Sequence, residues 1–410
     1  MKNQLCFAPA VPLVPPVETI DPQIESFAES LAAQGYSKVT INQKISILRR
    51  LDEWLVRRQI GIHGFDETNI DRFLRSRRNR GYVRPSDPST LRSLLRHLRE
   101  TKVISSQPTK RDDSPLQRLQ AVFARYLAEE RGLSQATLDQ YLLQTRRFLS
   151  GCFGNAPITL GELRPHHVSQ FILCRARSVG CSAAQHAVTA LRTLLRFLQQ
   201  RGYINTNLAA AVPSVAKWSL AGLPKYLTSC EVESVLETCK NNSVEEQRDR
   251  AILLLLARLC LRAGEVAQLT LDDIDWDNGE LTIRGKGGCF DRLPIPVDVG
   301  KALVTYLRHS RPRCSSRKVF IRLRAPSRGL AGCDAIDRVV RTALRRAGLN
   351  PAFKGAHVLR HSLATRMVRG GASLPEIGQI LRHQLPRTTA IYAKVDLAAL
   401  RALAQPWPGR

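Results

Sequence analysis

With 410 residues the chain exceeds one ordinary domain and predicts two to four, each burying its own core. It carries 62 lysines and arginines against 35 acidic residues, a formal net charge of +27. Such an excess, spread along the chain, predicts a nucleic-acid partner, because each neutralised phosphate releases counterions, and it disfavours a membrane, since no run reaches the roughly 18 apolar residues of a spanning helix.

Residues 1–20 read as a flexible tail whose prolines interrupt any signal-peptide core, so the protein is expected in the cytoplasm. An internal repeat follows. Phe27, Leu31, Gly35, Ser37 and Thr40 return as Phe123, Leu127, Gly132, Ser134 and Thr137. Leu94, Leu95, Arg96, Leu98 and Ile104 return as Leu194, Leu195, Arg196, Leu198 and Ile204. Apolar residues at three- and four-residue spacing make each copy a bundle of four or five helices, with Ser37 and Ser134 as N-caps. The copies span 21–105 and 117–206, joined by the polar, proline-bearing linker 106–116 and followed by a second linker, 207–227.

Thr228–Glu231 has capping-box form and opens a third unit, 228–395. Ala251–Ala257 is apolar throughout and soon meets Arg258, as in a buried core helix. Leu281 and Ile283, then Leu293 and Ile295, alternate about a glycine turn, which predicts a hairpin and makes this unit α+β with a small sheet. Ten cysteines without a C-x-x-C pair read as reduced thiols.

Several polar residues punctuate the third unit. Arg262 stands at a glycine-containing break with Glu265 three residues on, and Lys286 sits at the hairpin tip. His357, Arg360, His361 and Ala364 fall on one stripe of a helix whose other stripe is Leu359, Leu363 and Met367. His383 and Tyr392 follow. Singly these read as an ion pair, a solvated lysine, a polar helix face, a buried histidine and a core tyrosine.

Their order and spacing resemble the tyrosine recombinase (phage integrase) family, whose signature is an arginine in a "GLR-x-x-E"-like turn, a hairpin lysine, "H-x-L-R-H" and "G-H-x-(8)-Y". The resemblance covers roughly Thr228 to Val395 and departs from the signature at two residues: Arg382 stands where glycine usually precedes His383, and Cys260 where glycine is common before "LR". It implies a mainly α protein with two helical core-binding-type (SAM-like) domains ahead of the α+β catalytic domain. The second copy takes the place of the family's core-binding domain, and the first looks like its duplicate. The ending also looks similar to integrases encoded several together on bacterial mobile elements, which implies other recombinases of the same element as further partners.

The chemistry follows from these residues and that resemblance. A tyrosine titrates near pH 10 on its own, so Tyr392 needs a base to attack a phosphodiester, and His357 is the candidate. Arg262 and Arg360 can donate to the non-bridging oxygens, with His383 as a third donor. The resemblance implies that Lys286 protonates the leaving oxygen, while Glu265 and His361 orient Arg262 and the helix carrying His357. No metal and no cofactor are expected: Arg, Lys and His do what Mg²⁺ would do, and no P-loop occurs. The expected reaction cuts and rejoins double-stranded DNA through a 3′-phosphotyrosine for integration, excision or transposition. One subunit cuts one strand, so a tetramer on DNA is expected, with the tail 396–410 docked on a neighbouring subunit. The alternatives are topoisomerase IB-like relaxation and a catalytically silent DNA-binding accessory protein. Strand exchange between two sites excludes the first, and a covalent adduct excludes the second.

Overall fold

The computed structural model describes residues 18–79, 81–105, 114–154, 156–216, 224–240, 243–285, 290–395 and 401. The chain divides into two compact units, Ser106–Ala221 and the remainder, which joins Met1–Ser105 to Gly222–Arg410. No helix among the described residues is long and apolar enough to cross a membrane.

The first module consists of α1 (Asp21–Ala33), α2 (Lys38–Val56), α3 (Glu67–Arg78) and α4 (Asp87–Glu100). Phe27, Leu31, Leu48, Leu51, Phe73, Leu94 and Leu98 fill its core. The second module, with α5 (Pro115–Arg125), α6 (Gln135–Phe153), α7 (Pro165–Ser178) and α8 (Cys181–Gln200), buries Phe123, Leu127, Phe148, Leu194 and Leu198. The stretch read as the second linker begins with a 3₁₀ turn, Leu208–Ala211, and its Leu208, Ala209 and Val212 pack into this core. The repeat also has a local mechanism. The second copy carries one extra residue between Leu127 and Gly132 relative to Leu31 and Gly35, and that interval contains most of a π-helical turn, Tyr126–Glu130. A π turn is how a helix absorbs a single insertion without losing its face.

Within the larger unit, the first module meets the C-terminal part of the chain where Ser327 N donates to Gln34 O at 2.8 Å. Gly35, with φ +83°, allows that approach; a Cβ there would collide with Ser327 Oγ.

The C-terminal part starts with α9 (Ser229–Glu237), α10 (Val244–Arg258) and α11 (Ala263–Gln268). Thr228 and Glu231 form the reciprocal cap of α9. Residues 251–257 of α10 are buried throughout, as an all-apolar run requires. A three-stranded antiparallel sheet follows in the order β1 (Ile274–Asp275), β2 (Glu280–Arg284), β3 (Phe290–Pro294). β2 and β3 pair in the register Leu281↔Leu293, and Leu281 and Ile283 turn into the core. The short β1 has no alternating pattern in the sequence. The chain closes with α12 (Val297–Thr305), α13 (Cys333–Arg346), α14 (His357–Arg369), α15 (Leu374–Ile380), α16 (Pro386–Thr389) and a 3₁₀ turn, Ala390–Val395. Helix α14 lies between two clusters: Val358 and Leu359 join the main core, while Ala364 and Val368 join Ile377, Leu381 and Tyr392 in a second. Its polar residues are thereby fixed at the seam between two packed layers.

Candidate active site

The site is organised by two helix C-termini. α10 ends at Arg258 and α15 at Ile380, and two residues past each end the chain reverses through a left-handed residue, Cys260 (φ +53°) and Arg382 (φ +51°). After α15 the amides of Arg382 and His383 close the reversal on Gln379 O and Gly378 O, at 2.9 Å each. Carbonyls left over at such ends carry the negative pole of the helix and attract cations. The two arginines take them. Arg360, 5% exposed, donates to Cys260 O and Leu381 O. Arg262 donates to Arg382 O at 3.1 Å. Both positions where the family commonly has glycine are therefore left-handed, which is what glycine adopts at no steric cost.

Arg262 is the N-cap residue of α11. Glu265 accepts from its backbone N at 2.8 Å and from Nη1 at 2.7 Å, so the carboxylate fixes both the turn and the side chain. Arg382 donates to the same carboxylate. Burial lowers the Arg360 pKa to about 10, with the Arg262 charge adding to it.

His383 shares a 2.8 Å hydrogen bond between Nδ1 and Thr389 Oγ1. Burial, then the charges of Arg360 and Arg262, push its pKa down to about 4, so the ring is neutral near pH 7. Tyr392, in the 3₁₀ turn, is 1% exposed, and its hydroxyl lies 2.8 Å from His361 Nδ1. Burial pushes the phenol up to about 12 against the opposing Arg360 charge. Burial, then His357 and Arg360, pull His361 down to about 4. The pair is thus a neutral phenol against a neutral imidazole.

The sequence reading named His357 as the base and gave His361 a supporting role; in the structure the hydrogen bond to Tyr392 is made by His361. Four residues separate the two histidines, one helical turn, and His361 is the one that reaches the second core cluster where Tyr392 is buried. The His357 ring stands 6.3 Å from it, centroid to centroid, at the exposed start of α14. Arg262, Glu265, Arg360, His361, His383 and Tyr392 are brought together. Lys286 falls in the connection between β2 and β3, and it lies outside the described residues, as do 396–410 apart from Arg401.

Two supporting residues were not singled out in the sequence. Asp337 on α13 accepts from Ala356 N at 2.8 Å and fixes the start of α14. Thr389 holds His383. Arg382 was visible only as a departure from the family pattern. Among the described residues no group of three or more His, Cys, Asp or Glu side chains is placed to hold a metal ion.

Guanidiniums, a neutral histidine and a buried tyrosine gathered at two helix ends are groups that phosphoryl transfer can use. Residues 225–398 match the phage integrase family, and residues 121–202 match the N-terminal SAM-like domain of phage integrases. The chain is 40% identical over 396 residues to the integrase/recombinase y4rA of Sinorhizobium fredii, covering 96% of each. It is 31% identical over 303 residues to the tyrosine recombinase XerD of Mycobacterium tuberculosis, covering 69% of this chain and 94% of that one. The chain belongs to the phage integrase family. It is a tyrosine-type site-specific DNA recombinase, an enzyme of strand cleavage and rejoining. The fold is shared with XerH recombinase bound to a palindromic difH substrate (TM-score 0.56, 19% identity, 73% of this chain and 99% of that one). It is shared also with a lambda integrase dimer on a COC′ core site (TM-score 0.52, 17% identity, 72% and 98%).

Proposed function

We propose that this recombinase moves a bacterial mobile element, with Tyr392 as nucleophile. What supports the reading is the convergence of Arg262, Arg360 and His383 on two adjoining helix ends next to the buried phenol. The Tyr392 oxygen attacks the scissile phosphorus, and the bond to the 5′-oxygen breaks as the bond to the phenolic oxygen forms. The phenol must first leave His361, and His357, at the open start of α14, then takes its proton. Arg262, Arg360 and His383 meet the charge gathering on the non-bridging oxygens. Lys286 gives a proton to the departing 5′-oxygen. The phosphate energy stays in a 3′-phosphotyrosine, and a 5′-hydroxyl of another strand reverses the step to complete exchange.

Exchange needs four cuts, so the working form is a tetramer on paired double-stranded DNA sites, with residues 396–410 of each subunit docked on the next. Other recombinases of the same element act beside it, in the cytoplasm. The first module adds DNA contacts through a cleft lined by Arg50, Arg57, Arg58, Arg77, Trp54 and Tyr82. The test is Tyr392→Phe, assayed on a nicked recombination site for covalent adduct and on two sites for exchange. DNA binding is retained while adduct and recombinant product vanish; adduct formed by the variant overturns the assignment. Removing 396–410 leaves single-site binding unchanged and abolishes the two-site complex.

A further inference from the structure

Arg382 is a poor choice for its position by every local criterion. Its φ of +51° strains a residue bearing a Cβ, where glycine would be at ease. Its side chain is only 7% exposed, and Nε and Nη1 have no hydrogen-bond partner among the described residues. Strain and unpaired buried donors kept together point to a function that offsets them. The contacts say which. Nη2 donates to Glu265 Oε2, the oxygen that also accepts from the Arg262 backbone, and Nε lies 3.6 Å from Asp291 Oδ2 on β3.

Glu265 alone would neutralise Arg262, leaving a turn with no net charge to offer a phosphate. A second guanidinium on the same carboxylate restores the positive charge and takes up the carboxylate's remaining pull on Arg262. We propose that Arg382 is a positioning residue of the phosphate site: it shares Glu265 with Arg262, keeps that pair cationic, and braces it against Asp291 on β3. This rests on the reading of Arg262 as a donor to the scissile phosphate.

The test compares strand cleavage on two versions of a nicked recombination site, one with the ordinary phosphodiester and one with an uncharged methylphosphonate at the scissile position. Arg382→Gly removes the guanidinium while relieving the backbone, and Glu265 keeps its Arg262 partner, so the variant folds. On the phosphodiester it should cleave about tenfold to a hundredfold more slowly than the parent at equal DNA binding, the loss expected of a charge-assisted hydrogen bond. On the methylphosphonate, which has no such charge to meet, the gap should close to about threefold or less, as it should for Arg262→Ala. Arg382→Lys, with charge but no planar fork, should fall between, and Asp291→Asn should show a smaller loss of the same kind. If Arg262→Ala is rescued and Arg382→Gly stays as slow on both substrates, Arg382 is a structural residue and the proposal fails. If Arg262→Ala is itself not rescued, the Arg262 reading falls, and the proposal with it.

Discussion

In the first helical module Trp54 lies under the Arg58 guanidinium, 4.6 Å from it, and packs edge-on against Phe73, with ring centroids 5.6 Å apart. At the matching position the second module has Gly151, and Phe171, the counterpart of Phe73, packs instead on Phe148 at 5.3 Å. Beneath this difference the copies coincide. Ser37 and Ser134 hold the same extended N-cap backbone, φ −67°, ψ 151° and φ −66°, ψ 152°. Their hydroxyls meet Thr40 and Thr137 at 2.9 and 3.0 Å. Lys102 and Gly202 both reverse the chain through left-handed φ, +59° and +73°, ahead of the buried Ile104 and Ile204. The two modules share core and caps, which decide whether the bundle folds, and differ on the face that leaves the bundle. The same difference shows at the first interhelical turn: Gly35 seats Ser327, whereas a Cβ at Gly132 would meet nothing within 4 Å among the described residues.

The comparison can be pressed hardest in the cores. Leu94→Ala and Leu194→Ala should each cost about 2–5 kcal/mol, the range for truncating a buried leucine. Chemical denaturation of the whole chain would read both, and a loss at only one site would mean the copies do not share a scaffold. Next comes the divergent face. Changing Arg57, Arg58 and Arg77 to Gln should flatten the dependence of log affinity on log salt by about 0.9 for each phosphate no longer neutralised. An unchanged slope and footprint would leave the first module as a protein-interaction domain. Gly35→Ala and Gly132→Ala should both pay the left-handed penalty, about 1 kcal/mol. Only Gly35→Ala must also push Ser327 aside, so its destabilisation should be the larger; equal losses would break the assignment of the Gly35 contact. The smallest effect is expected at the second reversal. Lys102→Gly should stabilise by about 0.5–1 kcal/mol and Gly202→Lys should destabilise by a similar amount, read as opposite shifts in denaturation midpoint.

What depends on near neighbours is legible in the residues alone. Helical spacing and N-cap serines announce the paired bundles and the Leu281 and Ile283 alternation announces the hairpin, because each of those signals is written within a turn or two of chain; the set Arg262, Arg360, His383 and Tyr392 is spread over 130 residues and points to a site only through its order and its likeness to a family signature. What depends on distant neighbours is settled by packing. Nothing local says that Tyr392 will rest on His361, 31 residues away, or that Arg262 will find the carbonyl of Arg382, 120 residues away. Asp337 looks like any polar helix residue until α13 brings it to the amide of Ala356. Arg382 reads as a lapse from a glycine pattern until its guanidinium is found on Glu265. Periodicity reports which face a residue lies on, but a buried carboxylate or carbonyl selects its partner only when packing has placed both in the same small volume, and that placement belongs to the whole chain.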